Sequence, residues 1–330
     1  MSAILEKLPG IPLPLKEISK QMREMWKGET ESRSAAPSEF RASQLNLIVH
    51  LGSETTVEEA ESVFARAIEF TQRYPGRIIV LCPTENAEAE YHLSGKLFTQ
   101  CYIGESQREM CCCEALLLQY HPDKPHYLFN QVSIWLESDL PVYHWFHRVP
   151  LKDVKNKYLV FVKNSKRVIY DSAIESENFD DIPTPESWRI KDLTAARILP
   201  YRQSIGQVLS TFDPKDILNG LQKVVIRFSG AQEPNAKQLC KWMTSCLKMA
   251  AEQVEDTEIA EVICEQAKDD LPLSVEFEYQ DDQSFHWKLS NCEGCAEVKS
   301  KIAGREGFHE TTFSGPENYT ILSETVFFGN

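Results

Sequence analysis

Apolar residues fall along the chain in two rhythms: short unbroken runs, and stripes at intervals of three or four. LNLIVHL (45–51) and RIIVLCP (77–83) are apolar on both faces, the pattern of strands buried in a helix-covered parallel sheet. Between them Ser53–Glu54–Thr55–Thr56 opens a helix whose face carries Val57, Ala60, Val63, Phe64, Ala67 and Ile68, ending at Tyr74–Pro75–Gly76. Strand, helix, strand in that order makes the two strands parallel. KLFTQCYI (96–103) and CCCEALLLQY (111–120) predict two further strands, and PHYLFNQVSIWLE (125–137) a helix. DLPVYHWFH (139–147) is a strand entered through a proline, and KYLVFVKNS leads into KRVIYDS (166–172). Helix signals return over 191–212, with Pro200 in a first turn and Ile205, Leu209 and Phe212 as the stripe.

Either side of this block the rhythm differs. IPLPLKEISKQMREMWK places Leu15, Ile18, Met22, Met25 and Trp26 on one side of a helix of about three turns, and the polar GETESRSAAPSE that follows reads as a linker. After Asp213–Pro214 come the strand QKVVIRFSG (222–230) and a long helix opened by Pro234, with Leu239, Trp242, Met243, Cys246 and Leu247 facing a core. Val275, Phe277 and Tyr279 alternate with Glu276 and Glu278, and Phe285, Trp287 and Leu289 with His286 and Lys288, as in a meander with one wet face. The expected fold class is α/β, a Rossmann-like, mostly parallel sheet domain followed by a smaller α+β domain. The expected boundaries are an arm over 1–44, the sheet domain over 45–212 and the second domain over 213–330.

A chain of 330 residues is long enough for two such domains. Its net charge of −14 lacks the positive field that nucleic acid requires. The charge is uneven, +1 over 1–44, −5 over 45–215 and −10 over 216–330, so the acidic excess belongs to the last third. Such a face is either solvated or a docking surface for a basic partner. No apolar run reaches the length of a membrane span and MSAILEKLPG has no leader pattern, so the expected location is the cytoplasm. The ten cysteines are scattered, as free thiols of a reducing compartment are.

The first strand–helix junction, HLGSETTVEEA, has one glycine where a dinucleotide fold needs G-x-G-x-x-G, and two glutamates in the first helical turn that repel phosphate. Walker, G-x-S-x-G and H-E-x-x-H motifs are absent. Cys292–Glu293–Gly294–Cys295 lacks the second pair a zinc site needs; a redox-responsive pair and incidental thiols both fit it. His144 and His147 stand at the carboxyl end of a strand, where open α/β sheets hold ligands. A sugar-phosphate or nucleotide-binding enzyme would use a pocket beside them, and packing among aromatic neighbours is the other reading. No pair of acids and bases is spaced for a recognisable mechanism, and no metal or cofactor is expected.

Six segments in order, RASQLNLIVH (41–50), YPGRIIVL (74–81), CCCEALLLQ (111–119), DLPVYHWF (139–146), KRVIYDS (166–172) and KDLTAARILPYRQSIGQVL (191–209), resemble the OpcA family of glucose-6-phosphate dehydrogenase assembly proteins. The resemblance implies a non-catalytic partner that binds glucose-6-phosphate dehydrogenase, the NADP-reducing entry enzyme of the oxidative pentose phosphate pathway, and promotes its active oligomeric form. His144–Trp145–Phe146 stands where the family usually has two tryptophans, and Leu199–Pro200–Tyr201 where it has a tryptophan after the proline. Candidate contact residues in these segments are Arg41, Arg77, Asp139, Arg197 and Arg202, with Trp145 and Tyr201 as aromatic anchors. A thioredoxin-type reductant acting on Cys292 and Cys295 is the further expected partner; nucleic acid and membrane are not expected.

Overall fold

The computed structural model describes residues 2–27, 43–84, 94–103, 110–175, 177–184, 189–254, 259–267, 272–290, 294–313, 315 and 317–328. They divide into two compact units, Met1–Leu193 with Asn318–Asn330, and Thr194–Glu317. The expected boundary at 212/213 thus falls at 193/194, because the helix over 199–209 packs with the second unit's core.

In the first unit α1 (Ala3–Lys7), β1 (Ile11–Pro14) and α2 (Leu15–Lys27) precede β2 (Leu45–Leu51), α3 (Val57–Arg73) and β3 (Gly76–Pro83). Then come β4 (Ser94–Ile103), β5 (Met110–Tyr120), α4 (Leu128–Ser133), β6 (Val142–His147), α5 (Leu151–Asn156), α6 (Leu159–Asn164), β7 (Arg167–Tyr170) and β8 (Ile190–Asp192). One sheet holds the eight strands in the order β1-β4-β5-β3-β2-β6-β7-β8. From β5 to β8 the neighbours are parallel, while β4 and β1 continue the sheet antiparallel. Counted among themselves in chain order, the six parallel strands run 3-2-1-4-5-6.

Alternation along each strand supplies both faces of the sheet. Leu45, Leu47, Val49, Ile78, Val80, Tyr143 and Trp145 meet Ala60, Val63, Phe64 and Ala67 of α3 on one side. Ile48, Ile79, Leu81, Leu116, Phe146 and Val168 meet Val132 of α4, Val154 of α5 and Phe161 of α6 on the other. The N-terminal segment is part of this body: Ile18 and Met22 of α2 are buried on the second face, and β1 pairs with β4. Met25 and Trp26 lie outside the described side chains.

The second unit takes α7 (Leu193–Arg197) across its boundary, then α8 (Leu199–Leu209), α9 (Pro214–Leu218), β9 (Leu221–Phe228), α10 (Glu233–Ala251), β10 (Glu261–Gln266), β11 (Leu273–Tyr279), β12 (Ser284–Leu289), β13 (Cys295–Ile302) and β14 (Arg305–Thr312). The chain closes with α11 (Asn318–Ser323), whose Leu322 returns to the first unit's core. The second sheet runs β10-β9-β11-β12-β13-β14, antiparallel except for the β9–β10 pair that α10 connects. Its inner face packs Phe277, Phe285 and Trp287 against Leu239 and Met243 of α10 and Ile205 of α8. Each such aromatic contributes about 1.5–3 kcal/mol by leaving water. Trp287 donates its Nε1 proton to Ser204 Oγ at 2.8 Å, so the indole is buried with its donor satisfied. On the outer face Arg227 pairs with Glu265 at 2.8 Å and also with Glu276, and Lys223 pairs with Glu278 at 3.0 Å. Part of the acidic excess is therefore internally matched in pairs of low individual energy.

Candidate functional site: the carboxyl ends of the central strands

β2 and β6 are neighbours, yet the chain leaves β2 toward β3 on one side and β6 toward β7 on the other. The crevice beyond their carboxyl ends is where an open α/β sheet offers a ligand room. Here the segments that follow β2 and β6 bond directly to each other. Gly52, next after β2, donates its N–H to the His147 carbonyl at 2.8 Å, and Thr55 N–H reaches Gly52 O at 3.1 Å. A Cβ on Gly52 would sit 1.7 Å from Arg148 O and 2.9 Å from Val149 N, so the glycine is required by close approach between two backbones.

The amino terminus of α3 is closed by its own side chains. Thr56 Oγ1 accepts from Glu59 N–H at 3.2 Å and Glu59 Oε2 accepts from Thr56 N–H at 3.1 Å, a complete capping box. The same carboxylate takes Arg148 Nε at 2.8 Å and Nη2 at 2.5 Å. The guanidinium hydrogen bonds hold Glu59 below the usual carboxylate range and raise Arg148 in turn. Arg148 has φ +54°, a left-handed conformation unusual for a side chain of its size, and its N–H donates to Glu175 Oε1 at 2.5 Å. Burial pushes Glu175 up to about 7, against the opposing pull of Arg148. Glu177 accepts from Leu151 N–H at 2.7 Å, so two carboxylates of the loop after β7 hold the start of α5. At the position where a phosphate would meet a helix N-terminus stands an Arg–Glu pair of the protein itself.

His144 and His147, three apart on one strand, point to opposite faces of the sheet and cannot share a pocket. His144 Nε2 meets His50 Nδ1 at 3.2 Å, inside a shell of Tyr120, Phe146, Tyr158 and Phe161. Both rings are fully buried, so one nitrogen of the contact carries the proton and the other accepts it. His50 Nε2 and His144 Nδ1 have no partner among the described residues. Burial drives His50 down to about 3; burial and then the neighbouring His50 take His144 well below its ordinary value. His147 is buried on the α3 side near Trp145, and burial lowers it too.

The other sequence-singled residues are dispersed. Trp145 is in the core of the first unit, out of reach of solvent. Arg77, at the opposite end of the sheet from the crevice, binds Glu114 Oε2 at 2.8 Å, Glu137 at 2.6 Å and the Trp135 carbonyl at 2.8 Å. Its register partner across the β3–β5 pair is Glu114 itself. With Asn46, whose side chain bonds Glu137 and Leu140 backbone groups at 2.9 to 3.3 Å, it pins the loop before β6. An Arg opening one apolar run and a Glu within another were the signal for this pair; Asn46 offered none beyond its being polar in LNLIVHL. Asp139 is exposed in that loop. In the second unit Arg197 donates to Thr194 Oγ1 at 3.0 Å, Arg202 is half-buried, and Tyr201 packs on Trp287 and Phe313 with ring centroids 5.6 and 5.4 Å apart. Arg41 and Cys292 lie outside the described residues; Cys295 is disulfide-bonded.

Removing Arg77 takes the buried cation away from Glu114 and Glu137. Arg77→Met should lower unfolding free energy by about 3–5 kcal/mol, read as a lower urea midpoint, and adding Glu114→Met should restore much of the loss. A double variant no better than the single would show that the Arg–Glu pairing is not what the site needs.

Residues 67–184 match the family model described as glucose-6-phosphate dehydrogenase subunit N-terminal domain, OpcA type. The chain carries an OpcA-type domain. The matched stretch runs from within α3 past β7, taking in the Arg77–Glu114 pair, the histidine pair's His144, and Arg148 with Glu175. No curated protein matches the chain. Among solved structures, glucose-6-phosphate 1-dehydrogenase from Mycobacterium avium superposes with a TM-score of 0.45 at 9% identity over 86% of this chain and 87% of that one. Dihydrodipicolinate reductase from Paenisporosarcina sp. TG-14, with dipicolinate bound, gives 0.28 at 7% identity over 86% and 93%. Likenesses at those scores bear on neither the fold nor the activity of the OpcA-type domain.

Proposed function

We propose that this protein is a non-catalytic cytoplasmic partner of glucose-6-phosphate dehydrogenase that binds the enzyme and favours its active oligomeric form. The OpcA-type domain over residues 67–184 carries the reading. Two observations support it. The six parallel strands run 3-2-1-4-5-6, an order we read as Rossmann-like, and at the crevice such a sheet would offer a nucleotide stand Gly52, Glu59 and Arg148, bonded within the chain. An activator acts through differential affinity, binding the active enzyme more tightly than the inactive one, and substrate must then tighten its binding in return. Asp139 of the first unit and Arg197, Tyr201 and Arg202 of the second are our candidate contacts; Arg77 and Trp145 support the fold of the first unit.

The purified protein, added to the dehydrogenase of its own organism, should co-elute with it at micromolar concentration and lower its KM or raise its kcat. Failure to form a complex overturns the proposal. In a thermal-shift series with NADP and phosphorylated sugars the protein alone should show no concentration-dependent rise in Tm. A rise would instead favour an enzyme that binds those ligands.

A further inference from the structure

Two thiols far apart in sequence meet at the edge of the second sheet. Among the described residues β10 pairs on one side only, parallel to β9, and most of its residues are exposed. Cys264 stands in register with Ile226, whose side chain enters the core beneath Leu239 and Met243 of α10. It therefore faces α10, whose Cys240 packs against that same core. Both are free, Cys264 exposed and Cys240 half-buried against the core. The charged groups beside Cys264 are Lys237, one turn before Cys240 on α10 and favouring a thiolate, and Glu233, opposing it and ion-paired to Lys237 at 2.7 Å. The neighbouring Cys240 thiol, and after it Lys237, lower Cys264, whereas Cys82 and Cys113 are buried and raised. Cys246, on the same helix, is also raised by burial.

We propose that Cys240 and Cys264 are an oxidation site that closes reversibly into a disulfide on exposure to a peroxide, clamping the middle of α10 to the edge strand β10. The Cys264 thiolate attacks one peroxide oxygen and breaks the O–O bond, giving a sulfenic acid and, after protonation, water. The Cys240 sulfur then attacks the Cys264 sulfur, the S–O bond breaks, and the hydroxide leaves with the Cys240 proton as a second water. Two thiols and one hydrogen peroxide become one disulfide and two waters, the two electrons passing to the peroxide. The bond ties together elements 24 positions apart in sequence, so it also restrains the unfolded chain.

The test treats the full-length protein with about one equivalent of hydrogen peroxide, blocks remaining thiols with an alkylating agent and maps the digest by mass spectrometry. A Cys240–Cys264 cross-linked peptide should be the first product, disappear on treatment with dithiothreitol and be absent from Cys264→Ser. In Cys240→Ser, where closure is impossible, dimedone should trap a sulfenic acid on Cys264. Oxidation of Cys246 or Cys82 ahead of Cys264, or conversion of Cys264 to a sulfinic acid with no cross-link, overturns the proposal. Loss of the complex with the dehydrogenase would leave it untouched, since the thiol pair does not depend on that reading.

Discussion

Gly52→Ala will not yield a stable first unit. The new methyl group would lie 1.7 Å from Arg148 O, where an ordinary contact is nearly twice as long, and the obstacle is backbone. Neither side can retreat cheaply: Gly52 follows a strand buried along its whole length, and Arg148 is fixed by Glu59 and Glu175. Overpacking costs about 1–3 kcal/mol and sometimes more. Moving the two chains apart also forfeits the 2.8 Å bond from Gly52 N–H to His147 O and disturbs the Arg148–Glu59 contact, about 1 kcal/mol or more each. Against a total stability of about 5–15 kcal/mol, a loss of ~4 kcal/mol or more should appear as a large fall in urea midpoint or as insoluble expression. Gly206→Ala is the matched control. A Cβ there meets nothing within 4 Å, and the residue is inside α8, so this variant should gain about 0.5–1 kcal/mol. A Gly52→Ala protein within 1 kcal/mol of wild type would show that the two loops can separate, and with that the crevice could open to a ligand.

How far the sequence reveals this body depends on the range of the contacts. The stripe from Val57 to Ile68 and the apolar runs at 45–51 and 77–83 read correctly because each element's pattern repeats within itself. The meander over β11 to β13 reads equally well, one face wet and one dry. β14, REGFHETT, shows no alternation because an edge strand with little covering it has no face to keep apolar. The apolar run Leu159–Val162 has no helical stripe of its own but lies in α6, where Phe161 meets His144. The return of Leu322 and Val326 to the first core has no local trace at all.

The site divides in the same way. The one glycine of HLGSETTVEEA stands where two backbones approach closely, and the glutamates there include Glu59, which pairs with Arg148. That pairing is not legible in the sequence, because Arg148 lies 89 positions from Glu59 and its left-handed backbone depends on Glu175 after the next strand. His144 and His147 stand near a strand end in the sequence pattern. Their meaning came from a partner, His50, contributed by the neighbouring strand in register with Phe146, and from the strand's period of two, which sends His147 to the other face. Three residues apart suggested proximity, and the pleat denies it.

That buried pair makes stability fall as the medium is acidified from neutrality. In the unfolded chain a histidine takes up its proton near pH 6.5, whereas in the fold His50 stays neutral down to about 3 and His144 is held well below its ordinary value. Between those limits the unfolded state binds protons that the folded state refuses, so stability is lost as pH drops, by about 1.4 kcal/mol per pH unit for each ring. His147 and His286, lowered in the same direction, add to the slope. Glu175 acts the other way: raised to about 7, it binds a proton in the fold before it would in the unfolded chain. It therefore offsets at most one ring's share between pH 7 and its unfolded value, and less because it remains partly solvated. The expected result is a urea-derived unfolding free energy that declines by at least ~1.4 kcal/mol per pH unit below pH 6, steepening below the ordinary carboxylate range, where the Glu59–Arg148 contact is also titrated. Glu175→Gln removes the opposing group and should make the slope between pH 6 and 5 steeper by up to one proton's worth. A flat profile from pH 7 to 5 in both proteins would mean that the paired imidazoles accept protons inside the fold, and that the shell of Tyr120, Tyr158 and Phe161 does not keep them neutral.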